Sequence, residues 1–491
     1  MTTHVSDTAE ATRSGAPPRL GLVLAVCCLA QFLVTLSVAV VNVALPAIQS
    51  SLHFSAGSLQ WVVNAYTLTF AGFLLLGGRI ADLYGRRRVF LAGIALFTLA
   101  SLAGGLSGNA GTLVTARAAQ GLAAAVIAPT TLAVLGTTFT DPHQRHKAFG
   151  AWGAVSGAGG AFGALAGGVL TEWLSWRWIL FVNIPIGVVL FAGVAWVITE
   201  LRHEGAGKRL DVPGALAVTV GLVVLVFGIV QSGPHSWGSA RTLLPIVAGL
   251  LLLGAFLMIE KRVAAEPLMP LDIFRSGSVT AANVVAATSG AALFGMFYFL
   301  TLFLHQVRDY SPLRTGFAYL PLAVSIMIAA QFSAPLVRRV GARATLVAGM
   351  ALTAGGLLWL TGVDEHSTFA GTLLGPTIVL GAGQGISMSA SAIAGVAGVP
   401  PQRAGLASGL LNATRQLGGA LGLAVLAAVA TTRVKSLLDG AKPTAEALRH
   451  AYASGYSLVF GVAAGIAAVG VVAAFAAPGR PRSLRGSSAQ A

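Results

Sequence analysis

The chain has 491 residues, 55% hydrophobic and only 10% charged, with a mean hydropathy of +0.80. Soluble domains carry roughly 25% charged residues, so a soluble globular protein is excluded and most of the chain must sit in lipid. The formal charge of +15 lies singly or in short clusters between apolar runs, which argues against a nucleic-acid-binding face.

A helix needs about 20 apolar residues to cross the hydrocarbon layer. After a polar tail at 1–19, runs of that kind fall at 20–45, 56–77, 89–108, 113–138, 147–170, 177–199, 212–232, 242–260, 279–304, 315–337, 343–362, 370–397, 404–430 and 454–477, fourteen in all, before a basic tail at 478–491. The first run is too long for a signal-peptide core, and no cleavage is expected. Its adjacent Cys27 and Cys28 read as small core residues, since neighbours rarely form a structural disulfide. Arg outnumbers Lys while Ala, Gly, Val and Leu dominate, a composition that hints at GC-rich bacterial coding.

Placing both termini inside puts about 21 of the 31 basic residues on the cytoplasmic side and about 8 outside, with Arg117 and Arg415 within helices. Clustered Lys and Arg favour the cytoplasmic face, so the bias supports an even helix count. The dissenting segment is 431–453, an external loop on this topology that carries Arg433, Lys435, Lys442 and Arg449; an amphipathic surface segment is expected there. Arg79, Asp82, Arg86, Arg87 and Arg88 crowd the short turn GGRIADLYGRRRV, Gly77 to Val89, and APLVRRVGAR at Ala334 to Arg343 echoes it. RAAQGLAAA at Arg117 is echoed by GAGQGISMS at Gly381, and KAFGAWG at Lys147 by RAGLASG at Arg403, all in the same order. Duplication explains this: two six-helix halves, 20–199 and 279–477, with a linker at 200–278 holding two extra helices. Repeats of this kind place a substrate site between halves near the membrane midplane.

These residues resemble the major facilitator superfamily, specifically its fourteen-helix branch of drug:proton antiporters. The turn at 77–89 looks like the signature between helices 2 and 3, with Gly78, Asp82, Gly85 and Arg86 at its key positions. RAAQG at 117–121 looks like the helix 4 signature. VVNVALP at 40–46, WVVNAYTL at 61–68, WRWILFVNIPIG at 176–187 and the stretch from YSPLRTG to YLP at 310–321 look like the fourteen-helix branch. The chain departs from the pattern twice: Ser37 stands where helix 1 commonly has an acid, and Ala164 where the helix 5 signature usually has proline. The resemblance implies an all-α membrane fold of two six-helix bundles plus two additional spans. It also implies a conformational latch in which Asp82 pairs with turn arginines and with the start of an opposite-half helix near Ala404, where a carboxylate meets the positive helix end.

Arg117 and Arg415 are charges inside helices, costly unless they face a cavity or a partner. Either could bind cargo or tune a proton site; for Arg117 the alternative is snorkelling to the interface. Gly159, Gly163 and Gly167 at spacing four make a smooth face for helix packing. Gln31, Asn64, Tyr66, Gln120, Trp152, Phe294, Tyr298, Gln331, Gln384 and Asn412 lie on helices that line the cavity in the superfamily, and about half are expected to face cargo. No acid falls in the middle of a span, so proton coupling would fall to Asp82, Glu172, Asp309 or His305, the histidine because it titrates near neutral pH. No metal or catalytic constellation is evident, so neither an enzyme nor a cofactor is expected. The leading reading is a monomeric, multi-pass bacterial plasma-membrane exporter of amphipathic or cationic small molecules, proton-driven; a uniporter or importer of a polar metabolite on the same fold is the alternative.

Overall fold

The computed structural model describes residues 20–200, 210–233, 235–264, 267–397, 399–400, 403–438 and 444–477; the expected tails at 1–19 and 478–491 lie outside them. Among the described residues fourteen helices are long and apolar enough to cross a membrane. They are α1 (Leu20–Leu52), α2 (Trp61–Tyr84), α3 (Arg86–Gly105), α4 (Ala110–Thr138), α5 (Pro142–Trp173), α6 (Trp178–Val197), α7 (Val212–Gln231), α8 (Ala240–Val263), α9 (Gly277–Gln306), α10 (Pro312–Val340), α11 (Ala342–Leu360), α12 (Phe369–Val396), α13 (Ala404–Leu438) and α14 (Ala445–Ala474). Short polar residues start several of them. The Asn109 side chain accepts from Thr112 N at 2.9 Å, Asp141 from Gln144 N at 2.8 Å ahead of Pro142, and Thr444 from Ala447 N at 3.2 Å, each satisfying an otherwise orphaned N–H.

The helices form two bundles, α1–α6 and α9–α14. In the first α2 packs on α4 and α1 on α5; in the second α9 packs on α13 and α12 on both α10 and α11. The internal repeat has a physical basis. A Cβ at Gly121 would come 2.2 Å from Tyr66 O on α2, and one at Gly385 2.4 Å from Ile326 O on α10. Each glycine therefore lets corresponding helix pairs touch backbone to backbone. Gly85 and Gly341, at φ +96° and +91°, turn α2 into α3 and α10 into α11 through a conformation that side chains resist.

Because the spans are even in number, the chain enters and leaves on one face, called here the entry face, opposite the far face. The α7–α8 hairpin leans its α7 on α2 of the first bundle and α13 of the second. Leu68, Leu222, Val226, Ala420 and Ala424 form a buried seam there, so the extra pair seals one flank of the inter-bundle groove. The other flank, α5 against α10, is tight only toward the far face: a Cβ on Gly168 would lie 2.7 Å from Pro312 O, and one on Gly316 2.8 Å from Ala164 O. Toward the entry face the contact is looser. A Cβ on Gly157 would still reach Met327 of α10 at 3.8 Å, but Cβ atoms on Gly150, Gly153 and Gly160 would meet nothing within 4 Å.

One expectation is corrected. Of the described residues in 431–453, those up to Leu438 continue α13 and those from Ala445 on begin α14, so they are helical where an external loop was expected. The basic residues snorkel along these extensions, Lys435 Nζ donating to Gly233 O at 2.5 Å, Arg433 Nε to Ser454 Oγ at 3.3 Å, and Arg449 pairing with Asp309 at 2.6 Å. Hydropathy stops at the membrane surface while the backbone helix does not, and polar side chains continue it into water. Lys442 lies outside the described residues.

Candidate functional site

Arg117 sits two turns into α4 and is 1% exposed. It turns inward rather than snorkelling. Nε donates to Val62 O at 3.0 Å; Nη1 donates to Ser37 O at 3.3 Å and to Gln120 Oε1 at 2.9 Å. Its guanidinium lies 4.5 Å from the centroid of the buried Tyr66 ring, a cation–π contact strengthened by exclusion of water. Gln120 Nε2 passes the network to Ser101 Oγ at 2.7 Å, and Asn183 Nδ2 donates to Ser37 Oγ at 3.0 Å. Among the described residues no carboxylate pairs with Arg117: carbonyl dipoles and a ring face balance the cation. Ser37, where the resembling branch commonly has an acid, contributes its carbonyl instead. Gln31 Nε2 donates to Ser156 Oγ at 3.1 Å, linking α1 to α5. Gln31 Oε1, Asn64 Oδ1 and Asn183 Oδ1 are buried with no hydrogen-bond partner.

The second bundle buries its own glutamine differently. Gln384 Oε1 accepts from Ser289 Oγ at 2.7 Å, the serine coming from α9, whereas Ser101 comes from α3. Arg415 on α13 has no hydrogen bond or ion pair among the described residues, and its Nε is buried and unpartnered. Tyr298 Oη is likewise buried and unpartnered. Trp152 Nε1 donates to Thr131 Oγ1 at 3.1 Å. Phe294 packs where a Cβ on Gly419 would come within 2.5 Å of its ring. Gln331 is exposed, and Asn412 and His305 are partly or fully accessible. The named side chains thus divide: Tyr66 and Gln120 touch Arg117, Gln31 bonds Ser156 and Asn64 donates to Gln60 Oε1, and Gln331 stands apart. Gly159, Gly163 and Gly167 face α1, where Cβ atoms would come 2.1 Å from Thr35 Oγ1, 2.7 Å from Ala39 Cβ and 2.6 Å from Val40 O.

At the 77–89 turn, Asp82 Oδ1 accepts two bonds from Arg86, from Nε at 3.1 Å and Nη2 at 2.9 Å. Arg86 Nη1 continues to Thr137 Oγ1 at 3.1 Å on α4, and Arg87 Nη2 to Ala195 O at 2.6 Å on α6. Glu200 Oε2 accepts from Arg88 N at 3.2 Å, a carboxylate at the start of α3 where the helix dipole favours it. Gly78 lies 3.3 Å, by its would-be Cβ, from Pro129. The turn is therefore bolted to its own bundle. The expected contact from Asp82 to the start of α13 is not made among the described residues, and a Cβ on Gly405 would meet nothing within 4 Å, although one turn further on a Cβ on Gly409 would come 3.1 Å from Leu75 of α2.

The contacts that join the bundles at the far face escaped the sequence reading. Gln306 Nε2 donates to Gln49 Oε1 at 3.4 Å and Leu313 N donates to Glu172 Oε2 at 3.2 Å, while Tyr456 Oη, within the second bundle, donates to Gln306 Oε1 at 2.5 Å. Periodicity carries no trace of such pairs, because each partner lies on a different helix; Glu172 alone stood out, as an acid near a helix end.

The sequence profile of the Major Facilitator Superfamily matches residues 27–423. The chain is 42% identical over 429 residues to the cephamycin export protein CmcT of Amycolatopsis lactamdurans, covering 87% of this chain and 88% of that one. It is 40% identical to the puromycin resistance protein pur8 of Streptomyces alboniger, covering 93% and 91%, and 36% identical to the multidrug resistance protein Stp of Mycobacterium tuberculosis, covering 83% and 75%. In fold it is similar to a bacterial homologue of the human lysosomal transporter Spinster, with a TM-score of 0.66 at 15% identity over 94% of this chain and 97% of that one. Fourteen spans, a repeated glycine turn, a groove between two bundles and these relatives agree: the chain belongs to the major facilitator superfamily of membrane transporters, in its fourteen-helix drug-export branch.

Proposed function

We propose that this protein exports amphipathic, antibiotic-like small molecules across the bacterial plasma membrane by alternating access, loading them from the entry face and driven by protons. The observation that carries the reading is the asymmetry of the α5–α10 flank: the helices press together at Gly168 and Gly316 at the far face, and toward the entry face Cβ atoms on Gly150, Gly153 and Gly160 meet nothing within 4 Å while one on Gly157 makes only a 3.8 Å contact with Met327. A groove closed on one side only is one of the two states alternating access requires. Relatives named for cephamycin export and puromycin resistance indicate the cargo class. The entry face carries the basic turn at Arg86 to Arg88, which supports a cytoplasmic assignment for it and for both termini.

In this reading, cargo loads between the bundles, breaks the Gln49–Gln306 and Glu172–Leu313 contacts at the far face, and leaves there while α13 closes on the Asp82 turn. Arg117, held by Val62 O, Ser37 O and Gln120 Oε1, positions cargo or its counter-charge. Glu172 lies at the far-face seam itself, so protonating it weakens its bond to Leu313 N, and that makes it the acid best placed to couple a proton to opening. The protein works as a monomer in lipid and uses no cofactor. Uptake of a puromycin-type probe into everted membrane vesicles, collapsed by a protonophore, tests the proposal; uptake unchanged by the protonophore would overturn proton drive and favour a uniporter.

A further inference from the structure

Arg415 is a charge deep in the membrane that the protein does not balance. It stands eleven residues beyond Ala404, the first residue of α13. At 1.5 Å per residue that is about 16 Å, half of a hydrocarbon layer about 30 Å thick. Its stem lies against α9, where a Cβ on Gly290 would come 3.2 Å from Arg415 Cγ. Its Nε is buried without a partner, and the side chain makes no hydrogen bond or ion pair among the described residues. Arg117 is the contrast, its fork taken up by two carbonyls, an amide oxygen and a ring face.

The helices that pack on α13 are α2, α7, α9, α12 and α14, and they supply no counter-ion at this depth. α7, α9 and α12 contain no Asp or Glu, and neither does α13 itself. α2 has only Asp82, at its entry-face end and paired with Arg86. α14 has only Glu446, in its first turn at the far face.

The direction of the side chain follows from the helix. Arg415 comes nine residues, two and a half turns, before Ala424, so it faces away from the seam that Ala424 makes with α7. Ser408 and Asn412 precede it at helical spacing on the same face; all three are at least partly accessible, and neither Ser408 nor Asn412 makes a side-chain hydrogen bond among the described residues. On one flank of this polar stripe a Cβ on Gly409 would come 3.1 Å from Leu75 of α2, and on the other a Cβ on Gly418 would come 2.5 Å from Ala287 Cα of α9. The stripe therefore opens between the first bundle and the second, into the groove. Phe294 roofs it toward the far face, 2.5 Å from a Cβ placed on Gly419.

We propose that Arg415, with Asn412 beside it, is an anion subsite: it takes the carboxylate of an amphipathic cargo and favours that cargo over its uncharged form. The inference rests on the groove being the cargo path and adds the chemistry that the groove selects. A guanidinium can give a carboxylate two parallel N–H···O bonds, and here no protein acceptor has to be displaced first. Phe294 offers an apolar surface to the rest of the molecule.

The test uses the purified full-length protein in phosphatidylcholine nanodiscs, which keep anionic lipid headgroups out, and two fluorescent probes, dansyl-phenylalanine and its uncharged amide. The wild type should bind the carboxylate more tightly than the amide by about tenfold or more. Arg415→Gln should bind the two alike, losing affinity for the carboxylate alone, and Arg415→Lys should keep part of the preference because it keeps the charge. Equal affinities in the wild type, or an undiminished preference in Arg415→Gln, would overturn the proposal. Binding of neither probe by the wild type would instead overturn the reading beneath it, that the groove holds amphipathic cargo. Thermal unfolding without probe is the second readout. Removing a charge that has no partner should leave the Tm of Arg415→Gln unchanged or higher; a clear loss of Tm, or failure to fold, would mean that Arg415 is held by the protein and has no charge to spare for cargo.

Discussion

Gln49 on α1 and Gln306 on α9 face each other across the far-face seam at 3.4 Å, and Tyr456 holds Gln306 in place at 2.5 Å. A neutral hydrogen bond of this kind has a net value of about 0.5 to 1.5 kcal/mol, small against a fold but comparable to the gap between two transporter states. Gln306→Ala should shift the population toward far-face opening. Pulsed electron spin resonance between labels on the far ends of α1 and α9 should show a longer distance gaining weight; an unchanged distribution would remove these residues from the gate.

Gly168 is a stronger lever on the same seam. Adding one methyl as Gly168→Ala places a carbon 2.7 Å from Pro312 O, and overpacking costs about 1 to 3 kcal/mol. Since that cost is felt only when the seam is shut, the open population should rise about 5- to 150-fold. The same labels read it. Gly121→Ala, with its Cβ 2.2 Å from Tyr66 O inside one bundle, should instead lower Tm without favouring either state.

Arg117 tests the buried cluster. Arg117→Lys keeps the charge but cannot reproduce a fork that reaches Val62 O, Ser37 O and Gln120 Oε1, because an ammonium is a compact point charge. Transport should fall by more than about tenfold, which is about 1.4 kcal/mol, with membrane expression near normal. Wild-type transport in this variant would reduce Arg117 to a packing residue.

Asp82 and Asp272 make contrasting cases at the entry face. Asp82→Asn removes the carboxylate that fixes Arg86 and would meet α13 on closure, so transport should be abolished while expression persists. The Arg403 guanidinium holds the Asp272 carboxyl below its ordinary value. A depressed acid contributes stability above its unfolded value, lost as pH falls through the folded one, so between about pH 5 and about pH 8 any Tm change in Arg403→Gln should be small and independent of pH.

Much of the fold was legible because burial in lipid needs long apolar runs: all fourteen spans fall close to the expected residues. The glycine between charges in both turns proved to be the pair Gly85 and Gly341 with positive φ, which sequence alone could read only as an echo. The error at 431–453 arose because hydropathy measures lipid contact and not helicity. Around Arg117, helix periodicity brings Gln120 alongside, three residues on. Ser37, Val62 and Asn183 arrive from three other helices, and their convergence depends on tilt and rotation that no local pattern records.

The central claim is export loaded from the entry face, and its most direct test is uptake of a puromycin-type probe into everted vesicles carrying the wild-type protein or Asp82→Asn. The account predicts concentrative uptake by the wild type, collapse with a protonophore and none in the variant. Uptake that is equal in both proteins, or that occurs only in right-side-out vesicles, would contradict it.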